Sequence, residues 1–244
     1  MGNPVRFTSG FTQDAKFQPL GLIGTPNPFF YAQYHDDYLG YIPARYTNTV
    51  NANGTIAQTA AAFGRILFTT NSSTPLVTDI ASQQLDSAGF LLSLTKKTSY
   101  LTRLQLADVT NSALLVGMIQ TTTTPFTVTD GIYFSKASGS TNLVVNVSVG
   151  SSIVATTTLT GLLTNATDID LGFTYDGKGT LYIYAGAGLI GSSIRQNVIP
   201  LGPMGRLSIT SLPSVLLNPT MAIQSGTASS KTMSVDLQFA AQER

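Results

Sequence analysis

Asp168 and Asp170 stand two residues apart, so on an extended chain they project from one face. A pair of carboxylates is what a glycoside hydrolase needs, one as acid and one as nucleophile. The chain holds eleven aspartates and a single glutamate, Glu243, placed where a frayed tail is expected. The reading that weighs more is two acids at the start of an outward-facing strand edge. His35 is the sole histidine, next to Asp36 and Asp37. Neighbours on a strand point to opposite faces, so this trio is a poor ligand set and His35 reads as a surface residue. Serine catalysis would need the same His35 as base, and no G-x-S-x-G elbow accompanies it. Calcium chemistry could draw on Asp168, Asp170 or Asp176 with loop carbonyls. Asp176-Gly177 is better explained by the tight turn it favours. Gly186, Gly188 and Gly191 do not form a phosphate loop, because no helix follows them. The expectation is no catalytic residue, no metal site and no cofactor; the chain reads as a non-enzyme.

The elements that carry these residues read as strands. Ile169, Leu171, Phe173 and Tyr175 alternate with Asp170, Gly172 and Thr174, the period of a strand with one buried face. After the Asp176-Gly177 turn, Leu181 and Ile183 resume the buried face, and 185–188 (Ala-Gly-Ala-Gly) reads as a second turn. Leu143, Val145, Val147 and Val149 alternate in the same way with Asn146 and Ser148. Strands are expected at 55–60, 65–70, 90–94, 100–107, 113–120, 131–135, 143–149, 153–159, 168–175, 180–184 and 234–240. Residues 29–41, dense in aromatics, could open the first strand. Residues 78–86 read as a short helix, and 196–218, with Pro200, Pro203 and Pro213, as a loop. Many short strands without long helical patterns mean a sandwich or barrel.

Charged residues make up only 10% of the 244 residues, against about 25% in ordinary soluble proteins. A surface so poor in charge favours being covered by neighbours. The net charge of +1 leaves no electrostatic footprint for nucleic acid. No apolar run is long enough to span a membrane, and residues 1–22 lack the pattern of a signal peptide. There are no cysteines, which excludes disulfides and thiolate chemistry. Residues 1–28 read as an extended arm, kept extended by Pro4, Pro19, Pro26 and Pro28. The arm carries Phe7, Phe11, Phe17, Leu20, Leu22 and Ile23, too much apolar surface for a free linker. With Phe29, Phe30 and Tyr31 these are the expected partner-contact residues. The aromatics Phe29, Phe30, Tyr31, Tyr34, Tyr38 and Tyr41 could form a sugar platform; packing or a subunit contact is favoured.

The run LGF-x-YDG-x-G-x-LY-x-Y…GLIG across 171–191 resembles the central hairpins of concanavalin A-like, or laminin G-like, jelly rolls. It is most similar to the versions in tailed-phage virion proteins that decorate or cement the capsid. The closing segment 231–239, with Met233, Val235, Leu237 and Phe239 alternating, resembles their last strand. The run 185–188 departs from the Asn-Gly turn usual in laminin G-like hairpins, so glycan or calcium sites are not inherited by default. The resemblance implies an all-β, concanavalin A-like jelly-roll sandwich over 29–244, with 1–28 as its N-terminal arm. It implies a structural virion protein of a tailed bacteriophage, assembled in the host cytoplasm and sited on the capsid surface. The implied partners are the major capsid protein and further copies of the chain, a trimer being favoured. A carbohydrate-binding adhesion module on the virion is the alternative, with glycans as ligands.

Overall fold

The computed structural model describes residues 31–59, 64–86, 89–186 and 205–244. The arm, including Phe7, Phe11, Phe17, Leu20, Leu22 and Ile23, lies outside the described residues, as do Phe29 and Phe30. The described chain forms sixteen strands and one short 3-10 turn at Pro43–Arg45. The strands are β1 (Tyr31–Asp36), β2 (Tyr46–Val50), β3 (Thr55–Thr59), β4 (Arg65–Thr69), β5 (Ile80–Leu85), β6 (Phe90–Leu91), β7 (Thr98–Leu106) and β8 (Ser112–Gln120). They continue with β9 (Gly131–Lys136), β10 (Leu143–Val149), β11 (Ser152–Leu159), β12 (Ile169–Tyr175), β13 (Thr180–Gly186), β14 (Gly205–Ser208), β15 (Leu216–Ser225) and β16 (Thr232–Glu243).

Two antiparallel eight-stranded sheets face each other, as the alternation of apolar residues requires. The first runs β14-β13-β12-β7-β16-β4-β3, with β1 also beside β16; the second runs β11-β10-β9-β8-β15-β5-β2, with β6 also beside β15. The core lies between them. Tyr100 stacks on Phe173 at 5.5 Å, and Phe134 of the opposite sheet meets Phe173 at 6.5 Å. Leu143, Val145 and Val147 are fully buried, as their alternation predicts. Each such side chain contributes roughly 1.5–3 kcal/mol.

Four expectations fail. Residues 78–86 do not form a helix: β5 occupies them, hydrogen-bonded between β2 and β15. The expected loop 196–218 is interrupted: β14 falls within it, β15 begins in its last residues, and β15 is internal to its sheet. Pro219 is tolerated there because β6 flanks β15 at Leu216 and Leu217 and β5 only from Thr220. At Pro219 the strand has β8 alone beside it, so one missing N–H disturbs no second ladder. Ala185 and Gly186 do not turn: they extend β13, opposite Leu171 and Asp170. The C-terminus is not frayed either. Glu243 closes β16, where its backbone N–H donates to Lys97 O at 3.0 Å and its Oε2 accepts from Lys97 N at 2.9 Å.

Candidate binding surfaces

The alternation of β12 sends Asp170, Gly172 and Thr174 to the outer face of the first sheet. Asp170 lies opposite Arg103 on β7 and receives its Nε at 2.7 Å and Nη2 at 3.2 Å. Asp168, just before β12, takes a two-pronged contact from Arg65 at 3.0 and 2.7 Å. A bulge between Val235 and Leu237 of β16 turns Asp236 toward Arg103, 3.7 Å away. Two arginines and three aspartates thus form one network across β4, β16, β7 and the start of β12. Its hydrogen bonds to Asp168 raise the Arg65 guanidinium. Burial pulls Arg103 down, and its bonds to Asp170 together with the charges of Asp170, Asp236 and Asp168 more than offset that. Burial pushes the Asp236 carboxyl up, against the pull of Arg65 and Arg103.

This network decides what the acid pair can do. A glycosidase needs one carboxyl free to donate a proton and one free to attack or to activate water. Here each carboxylate is held by a guanidinium. Asp170, with its side chain 1% exposed, has no access to a substrate. The strand is also not an edge, since β12 lies between β13 and β7.

His35, Asp36 and Asp37 do not converge. His35 is exposed on the outer face, edge-on to Phe239 at 6.4 Å. Asp36 points inward, accepting from the Tyr46 hydroxyl and from the Tyr38 N–H at 2.8 Å. Asp37 accepts from Leu39 N at 3.2 Å. Among the described residues no group of three His, Cys, Asp or Glu could hold a metal ion. Asp176 serves its turn, accepting from Lys178 N at 2.7 Å and Thr180 N at 3.0 Å. Gly177 sits there with φ +71°, the left-handed backbone the turn demands.

The aromatic segment is chiefly packing. Tyr34 and Tyr38 are core residues, and Tyr41 stacks on Tyr46 at 5.8 Å. The Tyr34 and Tyr46 hydroxyls lie 2.8 Å apart, and Gln238 links Tyr34 to Tyr100 with bonds of 3.3 and 3.2 Å. Burial raises all three of these tyrosines. A network so enclosed offers no ring face to a sugar. Tyr31 opens β1 and packs on Leu101, Phe239 and Ala241 of the outer face.

What the described surface does offer is uncharged polar edge. At the ends of the two strand orders, β2 (YTNTV), β3 (TIAQT) and β11 (SIVATTTL) contain no charged residue and β14 has Arg206; β1, which lies beside β16 alone, carries Asp36, whose side chain points inward. Edge strands ordinarily carry charge or proline, or twist away, to prevent pairing. Large apolar side chains project near these edges, Leu39 at 64% exposure and Leu76 at 63%. Which strands form the edges, and which arginines pair with the acids, cannot be recognised from a single strand's sequence.

One end of the sandwich holds a buried cation. Lys136, at the end of β9, is 2% exposed and donates to Ser112 O and to Ala137 O. Burial lowers its ammonium to about 8. The neighbouring Asp108, bonded by Lys231 at 2.7 Å, is held down to about 2. For Lys136, between about 8 and the unfolded lysine's roughly 10.4 the unfolded chain binds a proton that the folded chain has released. Stability therefore rises with pH across that window. Below it both states are protonated and the penalty of burying the charge stands in full. Denaturant titrations at pH about 7.5 and about 9.5 should show a gain of about 2 kcal/mol, absent in Lys136→Met. The same rise in the variant would assign it to another group.

No family model matches the chain, and no curated protein sequence matches it. Solved structures do. An endo-1,3-beta-glucanase from Streptomyces sioyaensis is similar with a TM-score of 0.58 at 8% identity, over 88% of this chain and 98% of that one. The basic winged bean lectin, solved with the Tn-antigen, gives 0.57 at 10% identity, over 87% and 98%. The fold is the lectin-like, concanavalin A-like β-sandwich. Arcelin-5, a lectin-like defence protein from Phaseolus vulgaris, gives 0.54 at 10% identity, over 88% and 99%. Identities this low establish the architecture, which lectins and a glucanase share, and leave function to the residues.

Proposed function

We propose that this chain is a structural virion protein of a tailed bacteriophage that decorates and reinforces the capsid exterior. The supporting observation is a sandwich whose terminal strands β2, β3 and β11 carry no charge, while its outward acid pair is committed to arginines. Such a molecule is equipped to be covered by neighbours rather than to turn over a substrate. On this reading the partner is the major capsid protein, and the mechanism is burial of the arm and the sandwich edges across subunit junctions. Many copies on one lattice multiply a modest contact. The protein sits on the capsid surface after assembly in the host cytoplasm, and it self-associates, with a trimer as the arrangement the resemblance implies.

Co-sedimentation with empty tailed-phage capsids tests this. Full-length protein should bind saturably at a fixed ratio to the major capsid protein. A chain lacking 1–28 should keep its far-ultraviolet circular dichroism and bind much more weakly. Binding that is unsaturable or absent would contradict the proposal.

The second reading is a carbohydrate-binding adhesion module. It is favoured by the fold shared with a lectin solved with the Tn-antigen. A glycan array separates the two, since saturable binding to one glycan class with no capsid binding would select this reading.

A further inference from the structure

We infer that β11 pairs antiparallel with β11 of a second copy, so that two eight-stranded sheets become one. The strand is the last of its sheet: among the described residues β10 is the one strand hydrogen-bonded to it, and β14 of the other sheet lies nearby. Its eight residues, SIVATTTL, present about 27 Å of backbone donors and acceptors along the edge. Its side chains do nothing to discourage pairing. There is no charge and no proline, and Ile153 and Val154 are 58% and 43% exposed.

A second copy is the occupant because the strand suits itself. About a two-fold axis at Thr156, Thr156 meets Thr156 and Val154 meets Thr158, β-branched pairs that stabilise a ladder, and the small Ala155 meets Thr157. The surface brought alongside is equally neutral. Across β8, β9, β10 and β11 the one charged residue is Lys136, which is buried. Two copies can therefore approach edge to edge without like-charge repulsion. A bulge at Val154, opposite Val147 and Ser148, shapes the first part of the strand. The ladder from Ala155 to Leu159 is regular and leaves that stretch straight enough to receive a partner. The contact is isologous, so it makes a two-fold pair. It is therefore distinct from any three-fold arrangement and does not depend on what the protein coats.

Sedimentation velocity of the full chain at micromolar concentrations, beside the double variant Val154→Lys/Thr158→Lys, tests the pairing. Both positions are exposed, so the fold should keep its melting temperature. The wild type should sediment as a dimer, or as a hexamer where a three-fold contact forms as well, and in the variant the two-fold contact should dissociate with a constant raised roughly tenfold or more by lysines facing lysines. Hydrogen exchange on the wild type gives a reading independent of any variant: the β11 amides that face away from β10 should lose protection on dilution, while β10 amides keep theirs. A monomer at every concentration, a trimer that the variant leaves intact, or exchange of those β11 amides that ignores dilution would overturn the inference.

Discussion

Truncating Phe173 to alanine is expected to cost about 3–5 kcal/mol of folding stability. The ring is fully buried and sits where the sheets meet, stacked on Tyr100 at 5.5 Å and against Phe134 at 6.5 Å. Removing it deletes apolar burial and leaves a cavity between two hydrogen-bonded ladders, β12 with β7 and β9 with β8. Those ladders cannot collapse into the gap without breaking register. Chemical denaturation reads the loss directly. A cost below about 1 kcal/mol would mean that the sheets do not meet through this ring.

Replacing Arg103 with methionine should cost about 3 kcal/mol, because it strips the buried Asp170 of its guanidinium. Adding Asp170→Asn in that background should recover part of the loss. The coupling between the two positions then measures the pair itself. Neither wild type nor variants should release products from a polysaccharide panel. Hydrolysis that disappears with Asp170→Asn would make the network an active site and contradict its structural role. A fully additive double mutant would remove the ion pair from the account of stability.

The fold was largely legible because it is written in alternation. β10 occupies 143–149 as its valines and leucine predict, and β12 differs from its expected range by one residue. The failures have physical causes. The segment containing β5 offers Ala81, Gln83, Gln84 and Leu85, good helix formers, after Thr78 and Asp79, good caps. Pairing with β2 and β15 overrides that local preference. β15 hid behind Pro219, whose place beside an unoccupied stretch of ladder only the assembled sheet discloses.

The candidate surfaces were less legible, because their partners are distant in the chain. Arg65 and Asp168 are separated by 103 positions, Arg103 and Asp170 by 67. The acid pair at i, i+2 was visible in the sequence, whereas the cations that neutralise it were not. Charge-free strands could be read one at a time, but which of them ends a sheet is a property of topology.

On the proposed function this protein acts by covering a capsid lattice. Electron microscopy of virions carrying the protein with a bulky antibody fragment bound to it tests that most directly. The account predicts extra density at regular lattice positions over the capsid shell, in a fixed ratio to the major capsid protein. Density confined to the tail or its fibres, or virions without the protein, would contradict it.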